Sequence, residues 1–289
     1  MIAGALMATV SCDKTYPDNG GSKGLDTITA TFGSITRAYL SGLKSIWEES
    51  DQITISPMSD ETATGALFDV DELSGSTAKF SGTFPSGVST YYAFAPASFV
   101  KGNSWNVENK TGITNQTRIQ ASLPNVQNTV EITSGSGTYM GSDLLWFASK
   151  SDNSSNFEFN PVLAYLKVVV ASAASGYKDV GRIELTASEK MSSTVTYVYY
   201  DDGASGWEVT FGGTSYKRVG IQKGTSGNFT SGTYYIAMAP RTYTGLVLKC
   251  YSERNNTSTV QYISNTISSV TLEAGKIYNL GTLPIKVKS

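Results

Sequence analysis

Two cysteines, 24 acidic residues and not one histidine set the chemistry open to this 289-residue chain. Without imidazole there is no Ser-His-Asp or Cys-His nucleophile system, no His-Glu-x-x-His zinc site and no two-histidine metal centre. A pair of carboxylates could still hydrolyse a glycosidic bond. No two acidic residues stand out as such a pair, and we read them as solvated surface. Asp201-Asp202-Gly203 lacks the alternating oxygen ligands and closing glutamate of a calcium loop. Between VTYVYY (195–200) and WEVTF (207–211), Asp-Gly signals a hairpin turn instead. No glycine-rich phosphate loop stands between a strand and a helix. The expectation is a protein without enzymatic activity, cofactor or metal.

Cys12 has the strongest claim to chemistry. Residues 1–11, MIAGALMATVS, are small and apolar, and the residues after Cys12 are polar and turn-rich. An apolar stub, a small residue, Cys-Asp and a flexible tether make the pattern of a bacterial lipoprotein signal. Thr9 rather than Leu stands three before the cysteine, and no Lys or Arg precedes it. A basic segment upstream of residue 1 would complete the pattern. Lipidation of Cys12 is the expectation; a free thiol and a disulfide with Cys250 are the alternatives. Two acyl chains plus an N-acyl group anchor firmly, where one chain alone binds marginally. Cys250 lies in the alternating LVLKCYS (246–252) and reads as a structural thiol. Trp105, in GNSWNVENK (102–110), is the aromatic expected to be open to a ligand.

The elements that must position these residues are strands. FPSGVSTYYAFAP (84–96) and FTSGTYYIAMAP (229–240) repeat one pattern half a chain apart. A spacing that long is not a solenoid's and fits two copies of one unit. Charged residues make up only 16%, while Gly, Ser, Thr, Asn and Tyr fill the gaps between apolar runs. That palette belongs to strands and turns. Helix is expected only in the first residues and over 42–50. Strands are expected at 25–33, 36–40, 51–57, 76–84, 90–96, 117–122 and 143–149 in the first half. FEFNPVLAYLKVVVAS (157–172) reads as one long, doubly covered strand, with further strands to the end. The apolar-free KSDNSSN (150–156) reads as a linker. Three regions follow: a signal remnant and tether over 1–24, a β-sandwich over 25–152 and a second over 153–289. A net charge of −2 with no basic run argues against nucleic acid as a partner.

Several segments resemble the fimbrillin-like family of Bacteroidales. SCDK (11–14) is similar to the lipoprotein start of their surface proteins. ITATFGSITRAYL (28–40), IWEESDQITI (46–55) and STAKFSGTFPSGVSTYYAFAP (76–96) resemble the family's amino-terminal domain. NPVLAYLKVVV (160–170) and LEAGKIYNLG (272–281) resemble its carboxy-terminal domain. The resemblance implies an all-β protein of two tandem transthyretin-like antiparallel β-sandwich domains. It also implies export, lipidation and display on the outer membrane, often as a type V pilus subunit. In pilus-forming relatives an Arg-specific protease removes the first strand and a neighbouring subunit supplies a replacement. Arg37 is the only arginine before Arg118, so it is the residue that could carry that cut.

Two functions follow. The first is a fimbrillin-like pilus subunit (anchor, stalk or tip) that acts in adhesion through β-strand complementation. LDTITATFG (25–33) would be the removable strand and TLPIKV (282–287) a conceivable donor. Its partners would be other subunits or itself, with the outer membrane holding the lipid. The second is a non-polymerising surface lipoprotein that binds a glycan or protein of a host or bacterial surface through exposed aromatics, Trp105 among them.

Overall fold

The computed structural model describes residues 25–32, 47–57, 63–84, 91–97, 100–107, 116–133, 137–141, 146–151, 155–171, 180–200, 207–224, 227–252, 260–264 and 266–283. The first half contributes β1 (Asp26–Phe32), β2 (Gln52–Pro57), β3 (Ala63–Thr64), β4 (Ala66–Ser74), β5 (Thr77–Gly82), β6 (Tyr91–Ala95), β7 (Val100–Val107), β8 (Gln116–Leu123), β9 (Val126–Thr133), β10 (Thr138–Gly141) and β11 (Phe147–Ser151). The second contributes β12 (Asn156–Pro161), β13 (Ala164–Val170), β14 (Arg182–Thr186), β15 (Ser192–Tyr200), β16 (Trp207–Tyr216), β17 (Arg218–Lys223), β18 (Gly232–Met238), β19 (Thr242–Tyr251), β20 (Val260–Ile263), β21 (Ile267–Thr271) and β22 (Ile277–Leu283). The fold is all-β, with no α-helix among the described residues. Of the helix expected over 42–50, residues 47–50 lead into a turn and the rest lies outside the described residues. So does the strand expected at 36–40.

The strands form three sheets. A closed barrel runs β1-β12-β11-β6-β2-β4-β5, with β5 returning to β1. A ten-stranded sheet runs β20-β19-β14-β17-β9-β10-β18-β13-β22, with β21 also on β19. A five-stranded sheet runs β16-β15-β8-β7-β3. Most pairings are antiparallel. Four are parallel: β1 with β12, β10 with β18, β13 with β22 and β17 with β9. Parallel neighbours need long connections, and each of these pairs joins segments far apart in the sequence.

The run 157–172 is two strands rather than one. β12 ends at Pro161, which has no N–H to continue a ladder, and Val162 N donates instead to Trp146 O at 3.0 Å. β12 belongs to the barrel, whereas β13 lies between β18 and β22 in the ten-stranded sheet. The polar stretch 150–156 connects β11 to β12, which pair antiparallel inside the barrel. β8, β9 and β10, from the first half of the chain, pair with β15, β17 and β18.

Three buried clusters explain the half-chain repeat. Tyr91 on β6 points into the barrel core with Ile28, Phe80 and Phe159. Tyr234 on β18 points into the core of the ten-stranded sheet with Val168, Leu185 and Ile221. The next residues, Tyr92 and Tyr235, point the other way, into one shared cluster with Leu123, Trp146 and Tyr165. Period-2 alternation thus gives each copy of Tyr-Tyr one ring for its own core and one for the seam. The repeated phenylalanine completes the motif. Phe84 packs on Tyr91 at 4.8 Å between centroids, and Phe229 packs edge-on to Tyr234 at 4.7 Å.

Candidate functional site

The first strand and its slot form the candidate site. DTITATF alternates, so Ile28 and Ala30 face the barrel core, 1% and 0% exposed, while Asp26 and Thr27 face solvent. β1 is held along both edges. It runs antiparallel to β5 from Asp26↔Gly82 to Thr31↔Thr77. It runs parallel to β12 over four residues, Thr29↔Asn156 to Phe32↔Phe159. Thr29 N donates to Ser155 O at 2.7 Å, and Phe84 N donates to the Asp26 carboxylate at 2.9 Å. At the far end Phe32 stacks on Trp47 at 4.4 Å and 15°, and meets Phe147 at 4.7 Å.

This arrangement defines what removal of β1 would leave. β5 and β12 would each present an unpaired row of backbone donors and acceptors. The places of Ile28, Ala30 and Phe32 would open onto Trp47, Phe80, Phe147 and Phe159. Burying Ile28 alone is worth roughly 1.5–3 kcal/mol. A strand of like alternation recovers that burial together with both ladders.

Cys12 and Arg37 lie outside the described residues, as do the last residues of TLPIKV. Thr282 and Leu283 end β22, which among the described residues pairs with β13 alone and borders the ten-stranded sheet. Trp105 is on β7, opposite Ala63 and Ile119 in register. The first six residues of GNSWNVENK belong to this strand. Cys250 is 2% exposed on β19, opposite Ile183, and burial pushes its thiol up to about 12. At neutral pH such a thiol holds almost no thiolate and is inert.

Among the described residues, no three His, Cys, Asp or Glu side chains converge as a metal site. One carboxylate departs from the solvated surface expected of the acidic residues. Glu184, 4% exposed on β14, pairs with buried Arg182 and accepts a hydrogen bond from Tyr251 Oη at 3.3 Å. Gly220, across from Glu184 on β17, leaves room for the guanidinium: a Cβ there would sit 3.4 Å from Arg182 Nε and 2.9 Å from Ile183 O. The cluster is a charge pair closed by its own neighbours.

No family model matches the chain, and no curated protein matches it. Several solved structures are similar to it. One is a candidate cell adhesion protein from Bacteroides ovatus, with TM-score 0.48 and 10% identity over 88% of this chain and 89% of that one. Another candidate cell adhesion protein, from Bacteroides uniformis, has TM-score 0.40 and 13% identity over 80% of each chain. The fimbrial anchor protein Mfa2 from Porphyromonas gingivalis has TM-score 0.33 and 14% identity over 83% of this chain and 82% of that one. At such identities their activities stay their own.

Proposed function

We propose that this chain is a fimbrial-type subunit of the cell surface, acting in adhesion through exchange of β1. The observation that carries this is the strand itself. β1 is the first described strand, it is paired along both edges, and it buries Ile28 and Ala30 in the barrel. Arg37 follows Phe32 by five residues. A cut there would free β1 from the strands after it while leaving its slot intact. The incoming strand would come from another subunit or from a second copy, with 282–287 as a possible donor. We also propose two transthyretin-like units, one around the barrel core and one around the core of the ten-stranded sheet, with no catalytic role. The sequence boundary at 152/153 is kept as the proposed division, although strands on either side of it pair with the other half.

The test is limited digestion of the purified protein with an Arg-specific protease. Cleavage at Arg37 should be followed by oligomers, and excess synthetic peptide 25–33 should suppress them by refilling the slot. Cleavage without oligomers, or oligomers indifferent to the peptide, would refute strand exchange.

Anchoring in the outer membrane through lipidated Cys12 belongs to the same proposal. Its support is the small-residue stretch before the cysteine and the polar tether after it. Labelling with a palmitate analogue should mark the protein in cells, and Cys12→Ser should abolish the label. Label retained in Cys12→Ser would rule the anchor out.

A further inference from the structure

The slot around β1 differs from one end to the other. Three contacts pin the strand in a single register. At the start, the Asp26 carboxylate accepts from Phe84 N at 2.9 Å. In the middle, Thr29 N donates to Ser155 O at 2.7 Å. At the far end, the Phe32 ring lies flat on Trp47, 4.4 Å away. The core-facing positions between these contacts differ in size. Ile28 is opposite Phe80, and Phe32 is opposite Phe159. Ala30 stands in a row with Ala78 and Phe157, which share its face of the sheet. All three are buried in the barrel core. A larger residue at position 30 has to displace Phe157 or the rings around it, and a close-packed core resists added methylenes.

We propose that the slot selects its strand by this pattern: a carboxylate, an aliphatic, a small and an aromatic side chain at four successive alternate positions, as in Asp26, Ile28, Ala30 and Phe32. The inference rests on strand exchange at β1 and narrows the donor.

The segment 282–287 does not carry the pattern. Its alternating apolar residues are Leu283, Ile285 and Val287. Set at positions 28, 30 and 32, they bring Pro284 to the place of Thr29. The N–H that bonds Ser155 O is needed there, and proline has none. Ile285 then falls on the small site, and Val287 leaves Trp47 without a stacked ring. Sliding by two residues in either direction puts Leu283 or Val287 on the small site and still no aromatic beside Trp47. In none of the three registers does an acidic residue reach Phe84 N. Exchange of a cut β1 between identical copies leaves each copy as it was. The strand that drives assembly therefore comes from a different subunit, one that carries the pattern of β1.

The experiment measures, by fluorescence anisotropy, the entry of fluorescein-labelled peptides into the purified chain cut at Arg37. Peptide 25–33 should enter. Its Phe32→Ala and Ala30→Leu forms should bind about tenfold more weakly or worse, one from the lost stack and the other from overpacking. The Thr27→Val form, changed on the solvent side, should bind as the parent does. Peptide 282–289 should not enter at concentrations that saturate 25–33. If the protease does not cut at Arg37, the intact chain is unfolded in urea and refolded with each peptide in excess, and the peptide retained is read instead. Equal entry of the parent, Phe32→Ala and Ala30→Leu peptides would overturn the selectivity while leaving strand exchange standing. Saturable entry of 282–289 would do the same. Refusal of every peptide by both routes, 25–33 included, would overturn strand exchange and the selectivity with it.

Discussion

Replacing Trp47 by alanine is expected to cost about 3–5 kcal/mol of folding stability, the range for deleting a buried large aromatic. The indole is 5% exposed and is the hub of the barrel core. It stacks on Phe32 of β1, and it meets Phe80 and Phe159 edge-on at 5.0 and 5.3 Å, both at 80°. Three strands, β1, β5 and β12, therefore lose a common contact at once. A net stability of about 5–15 kcal/mol is usual for a domain, so this loss is a large share of the whole. Trp47→Phe should cost much less. It keeps an aromatic disc in the cluster and removes Nε1, a buried donor with no hydrogen-bond partner among the described residues. Urea unfolding of the three proteins measures both effects. An alanine variant within about 1 kcal/mol of wild type would mean the indole is not the hub. Amide exchange at Ile28 and Ala30 should speed up in Trp47→Ala well before global unfolding, because β1 loses the ring that pins Phe32.

Much of the fold was legible in the sequence because it follows period 2. β1, β2, β5, β6 and β8 each lie within a residue or two of their expected bounds, and each has apolar residues at alternate positions. The repeat was legible too, but its meaning was not. Only packing shows that Tyr91 and Tyr234 serve separate cores while Tyr92 and Tyr235 share one.

The misses have definite causes. β9, VQNTVEIT, reads as polar, yet it is an inner strand between β17 and β10. Gln127 shows how such a strand is buried. Its side-chain amide donates to Ala237 O at 2.8 Å and accepts from Ala237 N at 3.0 Å, so it pairs with β18 as a peptide group would. Hydropathy cannot register a side chain that stands in for backbone. KSDNSSN has the composition of a linker, and the strands that flank it pair with each other in the barrel. The alternation in Ser104–Trp105–Asn106–Val107 is too short to separate a strand from a loop.

The same limit applies to the candidate site. The alternation of 25–33 is in the sequence. The slot it fills is assembled from Trp47, Phe80, Phe147 and Phe159, which are scattered over more than a hundred residues. No local pattern brings them together.

Glu184 leads to the second large effect. RIELT on β14 alternates correctly, but its Arg and Glu positions look solvent-facing. In the fold they are 8% and 4% exposed. Glu184→Ala should destabilise the protein by about 3–5 kcal/mol, because it leaves the Arg182 guanidinium buried without its counter-charge. Arg182 Nε has no hydrogen-bond partner among the described residues, so losing Glu184 adds to a donor already unpaired. Arg182→Met should cost a similar amount for the mirror-image reason, since Tyr251 alone cannot compensate a buried carboxylate. The double variant Arg182→Met, Glu184→Leu should be far less harmful than the sum of the two singles. It removes both desolvated charges and fills their volume with apolar atoms. Urea midpoints for the four proteins close the cycle. Additive losses would show that the two charges do not depend on each other and that the burial costs little. A strongly non-additive cycle would mean that β14, central to the ten-stranded sheet, tolerates its two charges only as a pair.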